Sequence, residues 1–80
     1  MLLRPMQTVL YSRQDCHLCH DALALLRQHG LDVHVVDIDQ EPALRKKYSD
    51  CVPVVEMEGR ERFRGRVDER LLRRLLAGSS

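Results

Sequence analysis

Two of the three cysteines in this chain stand three residues apart, in Cys16-His17-Leu18-Cys19. Thiols at that spacing can lie one helical turn apart, so that one forms a mixed disulfide with an outside partner and the other displaces it. The flanking sequence suits this. Gln7-Thr8-Val9-Leu10-Tyr11 is a short run of β-formers, and Leu18, Cys19, Ala22, Leu23, Leu25 and Leu26 recur at helical spacing up to Gly30. Cys16 is thus expected at a helix N-terminus, where unpaired N–H groups and the helix dipole favour an anion, and Cys19 on the inward face. Arg13 or a protonated His17 would favour the thiolate further, and Asp15 would oppose it. Exposed single charges are worth ~1 kcal/mol or less each, so the helix end should prevail and the Cys16 pKa should fall below the free value of about 8.5. The chemistry implied is thiol–disulfide exchange, with Cys16 as nucleophile and Cys19 as resolving thiol.

Other chemistries can use the same residues. Cys16-His17-Leu18-Cys19-His20 satisfies the Cys-x-x-Cys-His pattern of c-type haem attachment, with His20 as axial ligand. Cys16, Cys19, Cys51 and a histidine could form a zinc or iron–sulfur site. The third class is a non-catalytic binding module, in which the thiols are inert. Inertness suits the inward Cys19 better than Cys16, which Asp15 and His17 flank. A strand–helix–strand context favours a redox dithiol over haem, and no bound cofactor is expected. Cys51 reads as a small half-buried residue, or as a third thiol able to pair with Cys16. Of the other histidines, His20, His29 and His34 are expected at the surface.

Eighty residues make one domain, 1–80, with 1–5 and 78–80 expected to fray. Three cysteines are too few and too odd in number for a secreted disulfide scaffold, no signal peptide or membrane-length run is present, and a cytoplasmic monomer is the expectation. The net charge of +1 hides an asymmetry: residues 1–59 carry six basic and nine acidic side chains, and residues 60–80 carry seven arginines and three acids. Nucleic acid is not the expected partner, because only Tyr11, Tyr48 and Phe63 could stack on bases. Arg60, Arg62 and Arg64 instead read as the charged side of an edge strand, and Arg66, Arg70, Arg73 and Arg74 as the polar side of a closing helix.

These thiols need a frame, and the rest of the chain supplies one. A strand over about Met6–Ser12 leads through Arg13-Gln14-Asp15 into a helix reaching about His29. Leu31 to Ile38 form a second strand, parallel to the first across a right-handed crossover. Asp39 or Gln40 starts a short helix that tolerates Pro42 in its first turn and turns Ala43, Leu44 and Tyr48 inward. Val52 to Met57 form a third strand with Pro53 at its beginning, and Gly59 turns it into an antiparallel Arg60–Arg64. Asp68 offers an N-cap to a last helix carrying a Leu71, Leu72, Leu75, Leu76 stripe and ending at Gly78. The expected order is β-α-β-α-β-β-α, an α/β fold with a four-stranded mixed sheet and three helices.

With those landmarks in place, the chain resembles the glutaredoxin branch of the thioredoxin fold. The resemblance spans Val9 to Leu76 and rests on Tyr11-Ser12-Arg13-Gln14-Asp15-Cys16, Val36-Asp37-Ile38-Asp39, Cys51-Val52-Pro53 (the family has Thr-Val-Pro) and Gly65-Arg66-Val67-Asp68 (Gly-Gly-x-Asp). It implies a cis Pro53 beside the active-site turn, a Val52 backbone that pairs with substrate, an Arg13 near a glutathione carboxylate and an Asp68 that holds the γ-glutamyl end. It further implies a disulfide-containing protein or glutathione as partner, with glutathione or a thioredoxin reductase as the electron donor. His17 and Leu18 depart from the family's proline and tyrosine, and Arg66 puts bulk where backbone should approach glutathione. Those departures weaken the case for glutathione more than the case for redox chemistry.

Overall fold

The computed structural model describes residues 7–48 and 51–78. Their order is β1 (Thr8–Ser12), α1 (His17–Gln28), β2 (Val33–Asp37), a single 3-10 turn (Ile38–Gln40), α2 (Pro42–Tyr48), β3 (Val54–Met57), β4 (Arg60–Arg64) and α3 (Glu69–Gly78). This is the expected β-α-β-α-β-β-α arrangement. The four strands form one mixed sheet in the order β2-β1-β3-β4, with β1 parallel to β2 and antiparallel to β3, and β3 antiparallel to β4.

The sheet is covered on both faces, because successive strand residues point to opposite sides. Leu10, Val55, Met57 and Phe63 meet Ala22 and Leu26 of α1 and Leu72 of α3. On the other face Val54 joins Ile38 and Tyr48, with Tyr11, Leu44, Cys51 and Val52 packed around them. Fully burying a side chain such as Leu26 or Leu72 contributes about 1.5–3 kcal/mol. Adjacent residues Val54 and Val55 thus serve different clusters.

Local chemistry explains most boundaries. Helix α1 contains no glycine or proline, and it stops where Gly30 takes φ 79°. There Gly30 N–H donates to Arg27 O and Leu31 N–H to Leu26 O, the two bonds of a Schellman close. Pro42 opens α2, where its missing N–H costs nothing. The two-residue β3–β4 hairpin puts both Glu58 (φ 54°) and Gly59 (φ 80°) in the left-handed region, as a type I′ turn requires.

Several expectations need correction. The second strand ends at Asp37, because the Asp37 carboxylate accepts from Asp39 N–H and starts the 3-10 turn at Ile38. The third strand begins at Val54, after Pro53, which has no N–H for a ladder. Ala43 is exposed, leaving Leu44 and Tyr48 as the inward residues of α2. Leu18 and Leu71, placed on apolar faces by their spacing, are 53% and 47% exposed. In β4, Val55 pairs with Phe63 and Glu56 with Glu61, so Arg62 is an extra residue and the arginine alternation is broken by a bulge. Met6, expected in the first strand, lies outside the described residues.

Candidate functional site

Strand register gathers the candidate residues at one end of the sheet. Ser12, the last residue of β1, pairs with Asp37 at the end of β2, and Tyr11 pairs with Val54 at the start of β3. Val54 in turn pairs with Arg64 at the end of β4. Arg13 and the Cys16 turn, Asp39, Val52-Pro53, and Gly65 to Asp68 therefore all leave or enter the sheet at the same end.

The turn itself is built by Asp15, whose φ of 62° is one that few residues other than glycine, asparagine and aspartate adopt readily. It delivers Cys16 as the N-cap of α1 in an extended conformation, with its Sγ accepting from Cys19 N–H at 3.1 Å. Cys16 O accepts from His20 N–H at 3.1 Å. Cys16 and Cys19 are joined as a disulfide, with their Cα atoms 5.2 Å apart. Cys16 is half-buried and Cys19 only 1% exposed, so the first sulfur is the one a partner can reach. His17, Leu18 and His20 are exposed around them.

At the same end of the sheet lies the Cys51-Val52-Pro53 loop. The Val52–Pro53 peptide bond is cis, Pro53 is buried and Val52 half-buried. Gly65 N–H donates to both Pro53 O (2.7 Å) and Cys51 O (3.0 Å), which ties this loop to the connection after β4. Cys51 is a half-buried free thiol whose Sγ lies 3.6 Å from Tyr48 O. Tyr11 stacks on Tyr48 with ring centroids 4.9 Å apart, and its hydroxyl donates to Glu56 at 3.1 Å. Burial, then the hydrogen bond to the Glu56 carboxylate and the negative charge around it, push the Tyr11 phenol up to about 12.

Arg13 and Asp68 are both engaged. Arg13 clamps Asp39 with Nη2 3.1 Å and Nε 3.2 Å from the two carboxylate oxygens, and Arg45 stands 4.0 Å from the same group. Asp68 caps α3 as expected, with Oδ1 accepting from Arg70 N–H (2.9 Å) and Leu71 N–H (3.4 Å). Beside the redox turn lies a groove of about 540 Å³ lined by Leu18, Asp21, Ala22, Leu25, Gly65, Arg66 and Val67. Sequence reasoning missed the Asp39 partner of Arg13 and this groove. The only sequence hint of the groove was Leu18, an apolar residue in the first turn of a helix that must come to the surface at the motif. Among the described residues no three histidine, cysteine or acidic side chains come together to hold a metal ion. No helix of the described residues is long and apolar enough to cross a membrane.

Comparison with known proteins agrees with the fold. The model of the glutaredoxin-like domain (DUF836) matches residues 7–77. The Mycobacterium tuberculosis protein Rv0508 is 32% identical over 83 residues, covering 92% of this chain and 86% of the relative. A solved X. campestris protein superposes with a TM-score of 0.78 at 36% identity, covering 91% of this chain and 99% of that one. The glutaredoxin-like NrdH-redoxin of Escherichia coli, described as having a thioredoxin-like activity profile, superposes with a TM-score of 0.67 at 27% identity over 88% and 95% of the two chains.

Proposed function

The chain belongs to the glutaredoxin-like domain family, on the thioredoxin fold, and from that premise we propose that it is a small dithiol–disulfide oxidoreductase working through Cys16 and Cys19. The observation that carries this reading is the pair itself: a reachable Cys16 at a helix N-terminus, bonded to a buried Cys19 one turn on. In the reduced protein the Cys16 thiolate attacks one sulfur of a substrate disulfide, and the other leaves as a thiolate. Cys19 then loses its proton and attacks Cys16 Sγ, which releases the second substrate thiol. The substrate gains two electrons, Cys16–Cys19 is oxidised, and an external thiol reductant must restore it. N–H groups at the start of α1, among them Cys19 N–H, favour the thiolate at Cys16 before attack and on release.

The substrate is a protein disulfide or a glutathione mixed disulfide, with electrons from glutathione or a thioredoxin reductase. Val52 and Pro53 would form the wall beside Cys16, where the Val52 backbone can pair with an extended substrate as an added strand. His17 lies next to the nucleophile, and Arg13 and Asp68 are the residues that would hold glutathione. For Arg13 to bind a glutathione carboxylate it must share its guanidinium with Asp39, and Asp68 must hold the γ-glutamyl end while capping α3. Both engagements favour a polypeptide substrate. The glutaredoxin-like NrdH-redoxin, with its thioredoxin-like activity profile, is a relative that fits this side of the choice.

The test is equilibration in graded glutathione redox buffers, followed by alkylation and intact mass. Two thiols should titrate together while Cys51 is alkylated at every ratio. A stable glutathione adduct on Cys16 would instead indicate monothiol chemistry. Three thiols alkylated throughout, or a mass carrying haem, would sink the oxidoreductase reading.

A further inference from the structure

The residue after Val67 of this groove, Asp68, lines a second surface depression together with Arg70, Leu71, Arg73 and Arg74 of α3. The floor of the first is apolar, with Leu18, Ala22, Leu25 and Val67, and Leu18 is 53% exposed between the two cysteines. Leu71 is a second large apolar side chain left in water, at 47% exposure, while Leu72 beside it is fully buried. Around these leucines the charge is unbalanced. Arg64 and Arg73 are engaged by Glu61 and Glu69, but among the described residues Arg66, Arg70 and Arg74 form no ion pair. Arg70 and Arg74 stand one helical turn apart on α3, and Arg66 lies on the groove itself. The acids nearby are Asp21 on the α1 rim of the groove and Asp68, whose Oδ1 is occupied by the α3 N-terminus. Exposed apolar side chains within a polar rim mark a contact surface, and the excess of arginine over aspartate in this rim favours an acidic partner.

We propose that this face, from Leu18 through Arg66 to Arg70, Leu71 and Arg74, docks an acidic, leucine-bearing segment of the oxidised protein substrate. The inference rests on the oxidoreductase reading and names the substrate class. An apolar residue next to the substrate cysteine lies on the Leu18–Leu25 floor. Carboxylates further along its chain meet Arg66, Arg70 and Arg74, which steers the disulfide onto Cys16.

Two short peptides separate the contributions. One has its cysteine flanked by leucine and glutamates, the other has lysines for the glutamates, and each is a mixed disulfide with 2-nitro-5-thiobenzoate. Release of the coloured thiolate by the reduced protein is followed by stopped flow, and each rate is normalised to that of the same protein on hydroxyethyl disulfide. The acidic peptide should react about tenfold faster at low salt, and the ratio should approach one at ~0.5 M salt. The R70E/R74E variant, checked for an unchanged urea midpoint, should lose or invert the preference. Equal rates for the two peptides, or a preference that survives R70E/R74E, would overturn the docking proposal alone. No turnover of hydroxyethyl disulfide or of either peptide would overturn the oxidoreductase reading and this inference with it.

Discussion

At the scale of single residues, the two sulfurs differ by burial more than by bonding. Cys16 caps α1 at the surface and Cys19 lies one turn inside. Cys16→Ser should therefore abolish exchange, whereas Cys19→Ser should still attack and then accumulate a mixed disulfide visible by non-reducing electrophoresis. The Tyr11 phenol is the other residue with a measurable signature. Its raised pKa means that the folded chain holds the proton more tightly than the unfolded one does. The stability this provides is fully present below about pH 10 and is lost as pH rises from about 10 to about 12. Tyrosinate absorbance of the wild type minus that of Tyr11→Phe should show one group ionising near 12, and a difference curve centred near 10 would contradict the burial of this phenol and its Glu56 contact.

Elements are held less by propensity than by their ends. Asp68 accepts two N–H groups of α3, and α3 supplies Leu72 to the core. Replacing an N-cap aspartate by alanine costs about 1 kcal/mol, and serine should recover most of it. Urea unfolding of Asp68→Ala and Asp68→Ser tests this, and equal midpoints for both would mean that the cap contributes nothing. His29 at the end of α1 meets Glu69 at the start of α3 at 3.2 Å, and Glu69 also takes Arg73 at 3.3 Å, so the two helices on one face are linked at the surface. On the outer strand β4, Arg64 grips Glu61 through two hydrogen bonds and holds its carboxyl below the usual range. That pair lies at the surface, and with the Arg62 bulge it discourages the sheet edge from pairing with another chain.

For the whole molecule the controlling fact is the small core. At ~0.05–0.15 kcal/mol per residue, a chain of this length is stable by roughly 4–12 kcal/mol. Leu72 is fully buried between α3 and the sheet, and truncating it to alanine should cost about 2–5 kcal/mol. Leu72→Ala should consequently unfold at a much lower urea concentration, whereas Leu71→Ala, one residue away and half exposed, should shift the midpoint little. Comparable losses for the two would mean that α3 packs differently.

The order of elements and the placing of the Cys16–Cys19 pair at a helix start were legible in the chain's local patterns. Helical spacing between Leu18 and Leu26, alternation after Leu31, and the stops at Gly30 and Gly59 are local signals that act within one or two turns of chain. Residue type at a helix start was enough to single out the thiol pair, and the order of four short motifs was enough for the family. Features that depend on pairing across the chain were decided only in three dimensions. Arg13 meets Asp39 across 26 residues, Tyr11 meets Glu56 across 45, and the bulge at Arg62 exists only relative to β3. The left-handed Glu58 has no local cause in its residue type and follows from the two-residue hairpin that β3 and β4 impose. Leu18 and Leu71 lie on helical faces that periodicity alone marks as buried, yet each is left about half exposed, because a face is buried only as far as another element reaches. Strand register brought the Cys16 turn, Val52-Pro53 and Gly65 to Asp68 to one end of the sheet and made one site from residues spread over most of the chain.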